Sequence, residues 1–267
     1  MQVIVITGAS DGIGAEMARQ WAARRKDQVA LVLAARGVDN LEAVAASCRA
    51  SGAQVHVQRC DVGVQADCIA LIDAAVKAFG RIDTLVNNAG MSAHARLADV
   101  DDLAWYETLM RINHWGSVWC THAALPHLVA SRGRIVAVSS LAGLLGVPER
   151  TAYCGTKFAM TGFFEALRIE LASDGVSVTI AYPGVVATEI RYRGFNAEGR
   201  PAGKSGLYER GAMSVEQCAR LIVDGSEARR REIVMSAKGK LARWLKLIAP
   251  GVVDRMALKA LQRQDKT

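Results

Sequence analysis

Tyr153 and Lys157 lie four residues apart in the segment 151–171, whose apolar residues recur at helical spacing. Side chains four apart on a helix lie on the same face, so the phenol and the ammonium group should be neighbours. A phenol has a pKa of about 10, but a nearby positive charge favours the phenolate. The pair therefore predicts an activated proton donor or acceptor. Any long helix can hold Tyr and Lys at this spacing, so the rest of the chain must support the prediction.

A glycine-rich loop follows the first strand-like run of the sequence. Residues 3–6 are apolar and β-branched, residues 7–14 read TGASDGIG, and a helical pattern covers 15–25. In such a unit the loop amides can approach a pyrophosphate, and the positive end of the helix dipole favours its charge. Glycines also serve ordinary turns. The unit predicts a nucleotide site formed by Gly8, Ser10, Asp11, Gly12, Ile13 and Gly14.

An arginine shortly after the second strand-like run indicates which nucleotide binds. Residues 29–33 form this run, and Arg36 follows it where a site specific for NAD usually presents an acid to the adenosine ribose. A guanidinium can hold a 2′-phosphate through two hydrogen bonds. The sequence therefore predicts NADP, with NAD less favoured, although a surface arginine after a strand is also common.

Strand-like and helical runs alternate along the chain. The predicted strands are 3–6, 29–33, 54–58, 84–86, 134–138, 176–180 and 232–235. The predicted helices are 15–25, 41–50, 66–79, 103–112, 115–129, 151–171 and 215–223. This alternation predicts an α/β fold, a Rossmann-like doubly wound parallel sheet of about seven strands with helices on both faces. We expect one catalytic, nucleotide-binding domain, 1–236, with a basic helical extension, 237–267.

Polar residues and glycines follow several of the predicted strands. Ligands of such sheets bind beyond the carboxyl ends of the strands. Asp61 is expected to accept a hydrogen bond from the adenine amino group, and the strand 134–138 should deliver Ser139 and Ser140 to the same edge. Turns use the same residue types, so simple turn chemistry is the alternative. The other predicted cofactor contacts in these turns are Val62, Asn88, Ala89 and Gly90.

Together these motifs resemble the short-chain dehydrogenase/reductase family over roughly residues 3–235. They are TGASDGIG at 7–14, NNAG at 87–90, N-x-x-G at 113–116, the serine, Y-x-x-x-K at 153–157, and PG at 183–184 with Thr188. The resemblance implies an NADP-dependent oxidoreductase that interconverts a carbonyl and a secondary alcohol by hydride transfer. The family's active serine lies thirteen residues before the tyrosine, which selects Ser140 over Ser139.

The resemblance also implies a role for each matching residue. Tyr153 would be the general acid or base, and Ser140 would donate to the substrate carbonyl. Lys157 would activate Tyr153 and bind the nicotinamide ribose, while Asn113 would hold Lys157 through a water. From its sequence context alone, Asn113 interrupts a helical pattern and indicates a kink or a cap. The further cofactor contacts implied are Pro183, Gly184, Val186 and Thr188.

Two features leave alternatives open. Asp11 stands where many NADP-preferring relatives carry a basic residue, so the NADP prediction depends largely on Arg36. The rival function is a non-catalytic NADP-binding sensor that signals through the basic extension, or a membrane-associated regulatory protein on the same fold. Such a sensor would have no need of Ser140, Tyr153 and Lys157.

The loops suggest an apolar substrate, such as a lipid-like, steroid-like or aromatic carbonyl. The residues behind this prediction are Leu141, Leu144, Leu145, Val147, Val185, Tyr192 and Phe195. The alternative is that these loop residues pack as core. The segment 189–211 lacks a clear period and is predicted to be a mobile lid. Its basic residues, Arg191, Arg193, Arg200, Lys204 and Arg210, would suit an anionic group on the substrate or would simply be solvated.

The positive charge is concentrated at the end of the chain. Residues 238–267 contain eight Lys or Arg and two Asp, a net +6 of the total +7, so the rest is nearly neutral and nucleic acid is not expected as a partner. Between its basic residues the extension carries Leu241, Trp244, Leu245 and Ile248 at helical spacing. These amphipathic helices either dock on the domain, cover a subunit interface or, through 238–264, contact an anionic membrane surface. The tail resembles that of membrane-associated members of the family.

The sequence also predicts the cellular location of the protein, the state of its thiols and its oligomeric state. No basic leader or long apolar segment precedes the first strand, which favours the cytoplasm. The six cysteines show no C-x-x-C spacing, so we expect reduced thiols and no metal site. The family resemblance implies a homodimer or homotetramer, with contacts through the helices around Asn113 and Tyr153.

Overall fold

The computed structural model describes residues 1–203 and 212–264. Within these residues, seven strands form one parallel sheet in the order β3-β2-β1-β4-β5-β6-β7. The strands are β1 Gln2–Thr7, β2 Val29–Ala35, β3 Gln54–Arg59, β4 Thr84–Asn87, β5 Arg134–Val138, β6 Ser177–Tyr182 and β7 Glu232–Val234. The predicted Rossmann-like parallel sheet is confirmed, and every predicted strand boundary lies within two residues of the observed one.

Helices cover both faces of this sheet. They are α1 Gly12–Arg25, α2 Val38–Ala50, α3 Gln65–Phe79, α4 Ala104–Met110, α5 Gly116–Ala130, α6 Thr151–Glu170, α7 Ile190–Arg193, α8 Val215–Glu227, α9 Ala237–Ile248 and α10 Pro250–Gln264. Side chains alternate across a strand, so β1 sends Val3 and Val5 to the core beneath α3, α5 and α6. It sends Ile4 and Ile6 to the opposite core, beneath α1, α2 and α8.

The strand order reverses between β1 and β4, and ligand sites in such sheets lie at this point of reversal. The chain leaves β1 toward β2 on one side, whereas β4 lies on the other side and continues toward β5. The loops after β1 and β4 therefore diverge and leave a crevice beyond the carboxyl ends of the strands. The glycine-rich loop and the Asn87–Gly90 turn border that crevice.

The region around Asn113 differs from the prediction of two helices separated by a kink or cap. A π-helical turn, Arg111–Trp115, joins α4 directly to α5, and Asn113 lies inside it. The π turn keeps the helical path continuous, so Asn113 ends neither helix. Its side chain instead bonds outside the helix, as described below. Turns of this type are frequent at functional sites.

The predicted lid has more regular structure than its sequence suggested. Its first part forms the four-residue helix α7, and Phe195 then pairs with Ala93 through a single β-bridge. A helix this short is too brief to show a period in the sequence, which is why none was found. Lys204 and Arg210, two of the basic residues considered above, lie outside the described residues.

The extension forms the two helices α9 and α10. Arg243 makes an ion pair with Glu232 of β7, and the Lys246 Nζ donates to the Leu144 carbonyl oxygen at 2.9 Å. The opposite face of α9 is open to solvent, with Trp244 67% and Ile248 82% exposed. Among the described residues, no helix is both long and apolar enough to cross a membrane.

Candidate active site

The glycine-rich loop has a shape that only glycine permits at two places. Gly8 has a φ of +66°, and a Cβ there would lie 2.8 Å from the Ala89 Cα. A Cβ at Gly14 would lie 2.2 Å from the Gly8 carbonyl oxygen. Gly14 therefore lets α1 pack closely on the loop, and it does not line the cavity. This close packing leaves the loop backbone open to a ligand at the start of α1.

The loop after β4 holds the glycine-rich loop in place. The Asn88 Nδ2 donates to the carbonyl oxygens of Thr7 at 3.0 Å and Gly8 at 3.1 Å. The Thr7 Oγ1 accepts from the backbone amides of Asn88 at 3.0 Å and Ala89 at 3.1 Å. Asn88 thus serves the site by bracing this loop as well as by lining it. The threonine was not identified from the sequence, where it is only the residue before Gly8.

A cavity of about 420 Å³ runs along this edge of the sheet. It extends from Arg36 at one end, past the glycine-rich loop, to Tyr153 and Lys157 at the other. The predicted residues that line it are Gly8, Ser10, Asp11, Gly12, Ile13, Arg36, Asp61, Val62, Asn88, Ala89, Gly90, Ser140, Tyr153, Lys157, Pro183, Gly184, Val186 and Thr188. The other two predicted site residues, Gly14 and Asn113, do not line the cavity.

Tyr153 and Lys157 are both buried on the same face of α6. The Lys157 Nζ lies 5.8 Å from the centre of the Tyr153 ring. It donates to the Val138 carbonyl oxygen at 2.9 Å and contacts the Met160 Sδ at 3.4 Å. Burial lowers the pKa of Lys157 to about 7. The predicted pair is therefore present, but the ammonium form of Lys157 is only partly retained at neutral pH by the protein alone.

Burial also raises the pKa of Tyr153, because the phenolate is poorly solvated there. The positive charge of Arg150 and the interaction with the Ser140 hydroxyl oppose this rise. The Arg150 Cζ lies 4.3 Å from the centre of the tyrosine ring, closer than the Lys157 Nζ. Sequence reasoning missed Arg150, since an arginine before a helix usually lies in solvent.

The two adjacent serines have different surroundings. The Ser139 Oγ donates to the Lys157 carbonyl oxygen at 3.2 Å and is buried against α6. The Ser140 Oγ accepts from the Ala142 amide at 3.2 Å and faces Tyr153 across the cavity. Ser139 thus fixes α6 on β5, whereas the Ser140 hydroxyl lines the cavity and interacts with Tyr153. This difference agrees with the choice of Ser140 from its spacing.

Asn113 is fully buried beside Gly90 and Lys157. Its Oδ1 accepts from the Met91 amide at 2.7 Å, and its Nδ2 donates to the Met91 carbonyl oxygen at 2.9 Å. The same Nδ2 donates to the Thr156 Oγ1 at 3.0 Å. A Cβ at Gly90 would lie 3.2 Å from the Asn113 Oδ1 and 3.7 Å from the Lys157 Nζ. Asn113 therefore ties α6 to the β4 loop, and its link to Lys157 through a water stays a prediction.

Two acidic residues of the predicted cofactor site are already engaged. The Asp61 Oδ1 accepts from the Gly63 amide at 2.9 Å, as a turn residue would, while its Oδ2 makes no hydrogen bond to the described residues. Asp11 makes an ion pair with Arg193 of α7. The segment predicted to be a lid therefore places a basic residue beside Asp11 of the glycine-rich loop.

The predicted apolar pocket is wrong in most of its residues. Only Val185 of the seven lines the cavity. Leu141 and Leu144 pack on the core beneath α6, whereas Val147 and Phe195 pack in a cluster with Trp105. These four residues pack as part of the core, which was the alternative to a substrate pocket. Around Tyr153 the cavity wall is instead formed by Met91, Ser92, Arg150, Ile190 and Arg191.

Known proteins resemble the chain over nearly its whole length. A sequence model described as short chain dehydrogenase matches residues 2–198. The protein named 11-beta-hydroxysteroid dehydrogenase-like 4A of Arabidopsis thaliana is 36% identical over 250 residues, 93% of this chain and 81% of that protein. The protein named 11-beta-hydroxysteroid dehydrogenase A of Sesamum indicum is 36% identical over 259 residues, 95% of this chain and 73% of that protein.

Two solved structures share the fold. One is an alcohol dehydrogenase from the archaeon Thermococcus sibiricus complexed with 5-hydroxy-NADP, with a TM-score of 0.74 and 26% identity, covering 87% of this chain and 94% of that one. The other is a metagenomic short-chain oxidoreductase in complex with NADP, with a TM-score of 0.71 and 27% identity, covering 88% and 96%. The glycine-rich loop, the serine, the Tyr-Lys pair and these relationships together establish that the chain belongs to the short-chain dehydrogenase family of oxidoreductases.

Proposed function

We propose that this protein uses NADP(H) to interconvert a carbonyl group and a secondary alcohol, with Tyr153 as the proton donor or acceptor. One observation carries the proposal: Ser140, Tyr153 and Lys157 line the same cavity as the glycine-rich loop. The cavity would therefore bring the substrate and the nucleotide next to a proton donor and a second hydrogen-bond donor.

The residues present fit an NADP molecule. Gly8 and Gly12, both with positive φ, keep side chains away from the mouth of the loop, where amides at the start of α1 would hold the pyrophosphate. Arg36 lines the same cavity, where its guanidinium would meet the 2′-phosphate of the adenosine. The two solved structures named above were determined with NADP or a derivative of it. When bound, the nicotinamide supplies or accepts the hydride.

The residues of the chain would perform the remaining chemistry. Tyr153 would pass its phenolic proton to the carbonyl oxygen as the alcohol forms, and would take it back in the oxidation. The Ser140 hydroxyl would donate to the same oxygen and stabilise the negative charge that develops on it. Lys157 would bind the nicotinamide ribose and add positive charge beside the phenol.

The substrate is proposed to be an apolar ketone or alcohol of lipid-like, steroid-like or aromatic type. Support comes from Met91, Val185 and Ile190, which line the cavity, and from the relatives named as 11-beta-hydroxysteroid dehydrogenases. A panel of steroid, aromatic and sugar carbonyls with NADPH, read by nicotinamide absorbance, tests this. We expect turnover of the first two classes. Turnover of sugars alone would overturn the substrate class, and no turnover of any member would overturn the activity.

The extension is proposed to attach the protein to an anionic membrane surface. On α9 the exposed Leu241, Trp244 and Ile248 form an apolar face, and Lys residues flank it. Sedimentation with vesicles that contain anionic lipid should pull down the native protein, whereas Trp244→Glu should stay in solution. Trp and Glu can both occupy this exposed position, so the variant should fold like the native protein. Equal sedimentation of the two proteins would overturn this proposal.

The protein is also proposed to form a homodimer or homotetramer through α5 and α6. Trp115 is half exposed and stacks on Trp119, and Ile169 of α6 is 72% exposed. A contiguous apolar patch formed by such exposed side chains would mark a protein contact. Light scattering after gel filtration should give a dimer or tetramer for the native chain and a smaller species for Trp115→Glu. A native monomer would overturn the proposal.

A further inference from the structure

Arg150 has a position that neither the motifs nor the proposed reaction explains. It precedes Tyr153 by three residues, and its side chain is only 8% exposed. Its guanidinium Cζ lies 4.3 Å from the centre of the Tyr153 ring, compared with 5.8 Å for the Lys157 Nζ. Arg150 is therefore the cation nearest to the phenol ring.

Hydrogen bonds fix the guanidinium in this place. The Arg150 Nε donates to the Ala93 carbonyl oxygen at 3.2 Å, and its Nη2 donates to the Ser92 Oγ at 2.6 Å. Arg150 also begins α6, since its carbonyl oxygen accepts from the Cys154 amide at 2.8 Å. Side chain and backbone are thus both held, and the stacking on Tyr153 is built into the fold.

The charge of Arg150 has no anionic partner in the part of the chain that the structure describes. Its hydrogen-bond acceptors are neutral, and its charged neighbour is another cation, Arg191. An unpaired buried charge is unfavourable, so proteins usually keep one where function needs it. The group beside it that can become an anion is the phenol of Tyr153.

We propose that Arg150 is a positioning residue whose fixed positive charge stabilises the phenolate form of Tyr153. Lys157 cannot supply this charge alone, because burial lowers the pKa of Lys157 to about 7. Burial also lowers the pKa of Arg150, but a guanidinium stays charged in proteins. Arg150 acts in both directions of the reaction, since it brings the pKa of the phenol toward neutrality.

Among the described residues, few other titratable groups lie near Tyr153 and Arg150. They are Lys157 and Cys154 of α6, Arg191 of α7, which is near Arg150, and the pair His94 and Glu149, whose Nε2 and Oε2 lie 2.9 Å apart. Burial raises the pKa of the Cys154 thiol, which moves its ionisation away from neutral pH. Within the described part of the chain, a change in the titration of Tyr153 on replacing Arg150 therefore has few other sources.

The test, which rests on the proposed function, is the pH profile of kcat/KM for alcohol oxidation at saturating NADP. In the Arg150→Met protein the rise of activity with pH should move at least one pH unit to the alkaline side, because an opposite charge at this distance lowers a pKa by roughly 1–3 units. Arg150→Lys should recover at least half of the shift, and the KM for NADP should stay within about threefold in both.

Arg220→Met, at an exposed position of α8, is the matched control, because it removes one arginine charge away from the cavity. Its profile should match that of the native protein. An equal shift in Arg220→Met would overturn the proposal, since the shift would then follow the net charge. An Arg150→Lys protein that recovers none of the shift would also overturn it, in favour of a purely structural role. An unshifted Arg150→Met profile with a raised substrate KM would also overturn it, since Arg150 would then bind an anionic substrate group.

A second variant and an ultraviolet titration cover the cases in which Arg150→Met does not fold or no alcohol is oxidised. If Arg150→Met does not fold, Arg150→Gln, whose amide can still donate to the Ala93 carbonyl oxygen, takes its place. If the native protein oxidises no alcohol, the proposed function fails, and ultraviolet titration decides the role of Arg150 without turnover. The phenolate signal absent from Tyr153→Phe should then appear at higher pH in Arg150→Gln, and an unchanged midpoint would overturn the proposal.

Discussion

The Lys157 Nζ donates a 2.9 Å hydrogen bond to the carbonyl oxygen of Val138, the last residue of β5. The chain continues from Val138 into Ser139 and Ser140, and Ser139 donates back to the Lys157 carbonyl oxygen. These two bonds fix α6 against the end of β5. These contacts hold Tyr153 and Lys157 of α6 beside Ser140, which follows β5.

Lys157→Met should stabilise the protein near neutral pH. The pKa of Lys157 falls from 10.5 to about 7 on folding, so between these values the unfolded chain binds more protons than the folded one. The free energy of unfolding contributed by this group therefore rises with pH across that window, by about 1.4 kcal/mol per unit. After the lost hydrogen bond to Val138 is subtracted, Lys157→Met should gain about 2–4 kcal/mol at pH 7.

Thermal unfolding of the two proteins between pH 7 and 10 measures this effect. The gain should shrink steadily as the pH rises toward 10.5, because the amine of the unfolded chain then loses the proton that the buried amine has already lost. Lys77→Met, at an exposed position of α3, is the control and should show a flat difference. A Lys157→Met gain that does not change with pH would contradict a lowered pKa.

Gly14→Ala should disrupt the cofactor loop. The added methyl group would lie 2.2 Å from the Gly8 carbonyl oxygen and 2.6 Å from the Asn88 Nδ2, so the loop must move. We expect at least a tenfold weaker binding of NADPH, measured by its fluorescence, and about 1–3 kcal/mol lower stability. In Gly162→Ala the new Cβ meets no atom within 4 Å, and this change should be neutral or stabilising. Equal NADPH affinity in both variants would contradict the predicted steric role.

Arg36→Ala should change the cofactor preference. If the guanidinium holds the 2′-phosphate, its loss should raise the KM for NADPH by about 10–100-fold and leave the KM for NADH nearly unchanged, since a charge-assisted pair contributes roughly 1.5–3 kcal/mol. Adding Ala35→Asp should make NADH the better cofactor, because the carboxylate can accept from the ribose 2′-hydroxyl. A native protein that already prefers NADH would refute the assignment of Arg36.

The ion pair between Asp11 and Arg193 should matter for the cofactor more than for stability. Both side chains are largely exposed, and pairs of this kind contribute about 0–1 kcal/mol to folding. Arg193→Ala would leave Asp11 uncompensated beside the bound phosphates, and NADPH should bind about 3–10-fold more weakly at low salt. The double variant with Asp11→Ala should recover most of this loss. A double variant as weak as Arg193→Ala would show that Arg193 contacts the cofactor directly.

The sequence was a good guide to the sheet and a partial guide to the site. All seven strands were predicted, because apolar β-branched runs between helical runs have few other interpretations. Arg150 was missed, since its burial depends on Ser92 and Ala93, which lie nearly sixty residues away in the chain. The apolar pocket was mostly wrong, because a leucine in a loop has the same pattern whether it faces a ligand or the core.

Tyr153→Phe tests the proposed chemistry most directly. The change removes only the phenolic hydroxyl and leaves the ring that stacks on Arg150, so the fold and the NADPH site should be preserved. With an active carbonyl substrate and saturating NADPH, we predict that kcat falls about 10²–10⁴-fold, the usual contribution of a general acid, while the affinity for NADPH changes less than about threefold. A Tyr153→Phe protein that reduces the carbonyl at close to the native rate would contradict the role given to Tyr153.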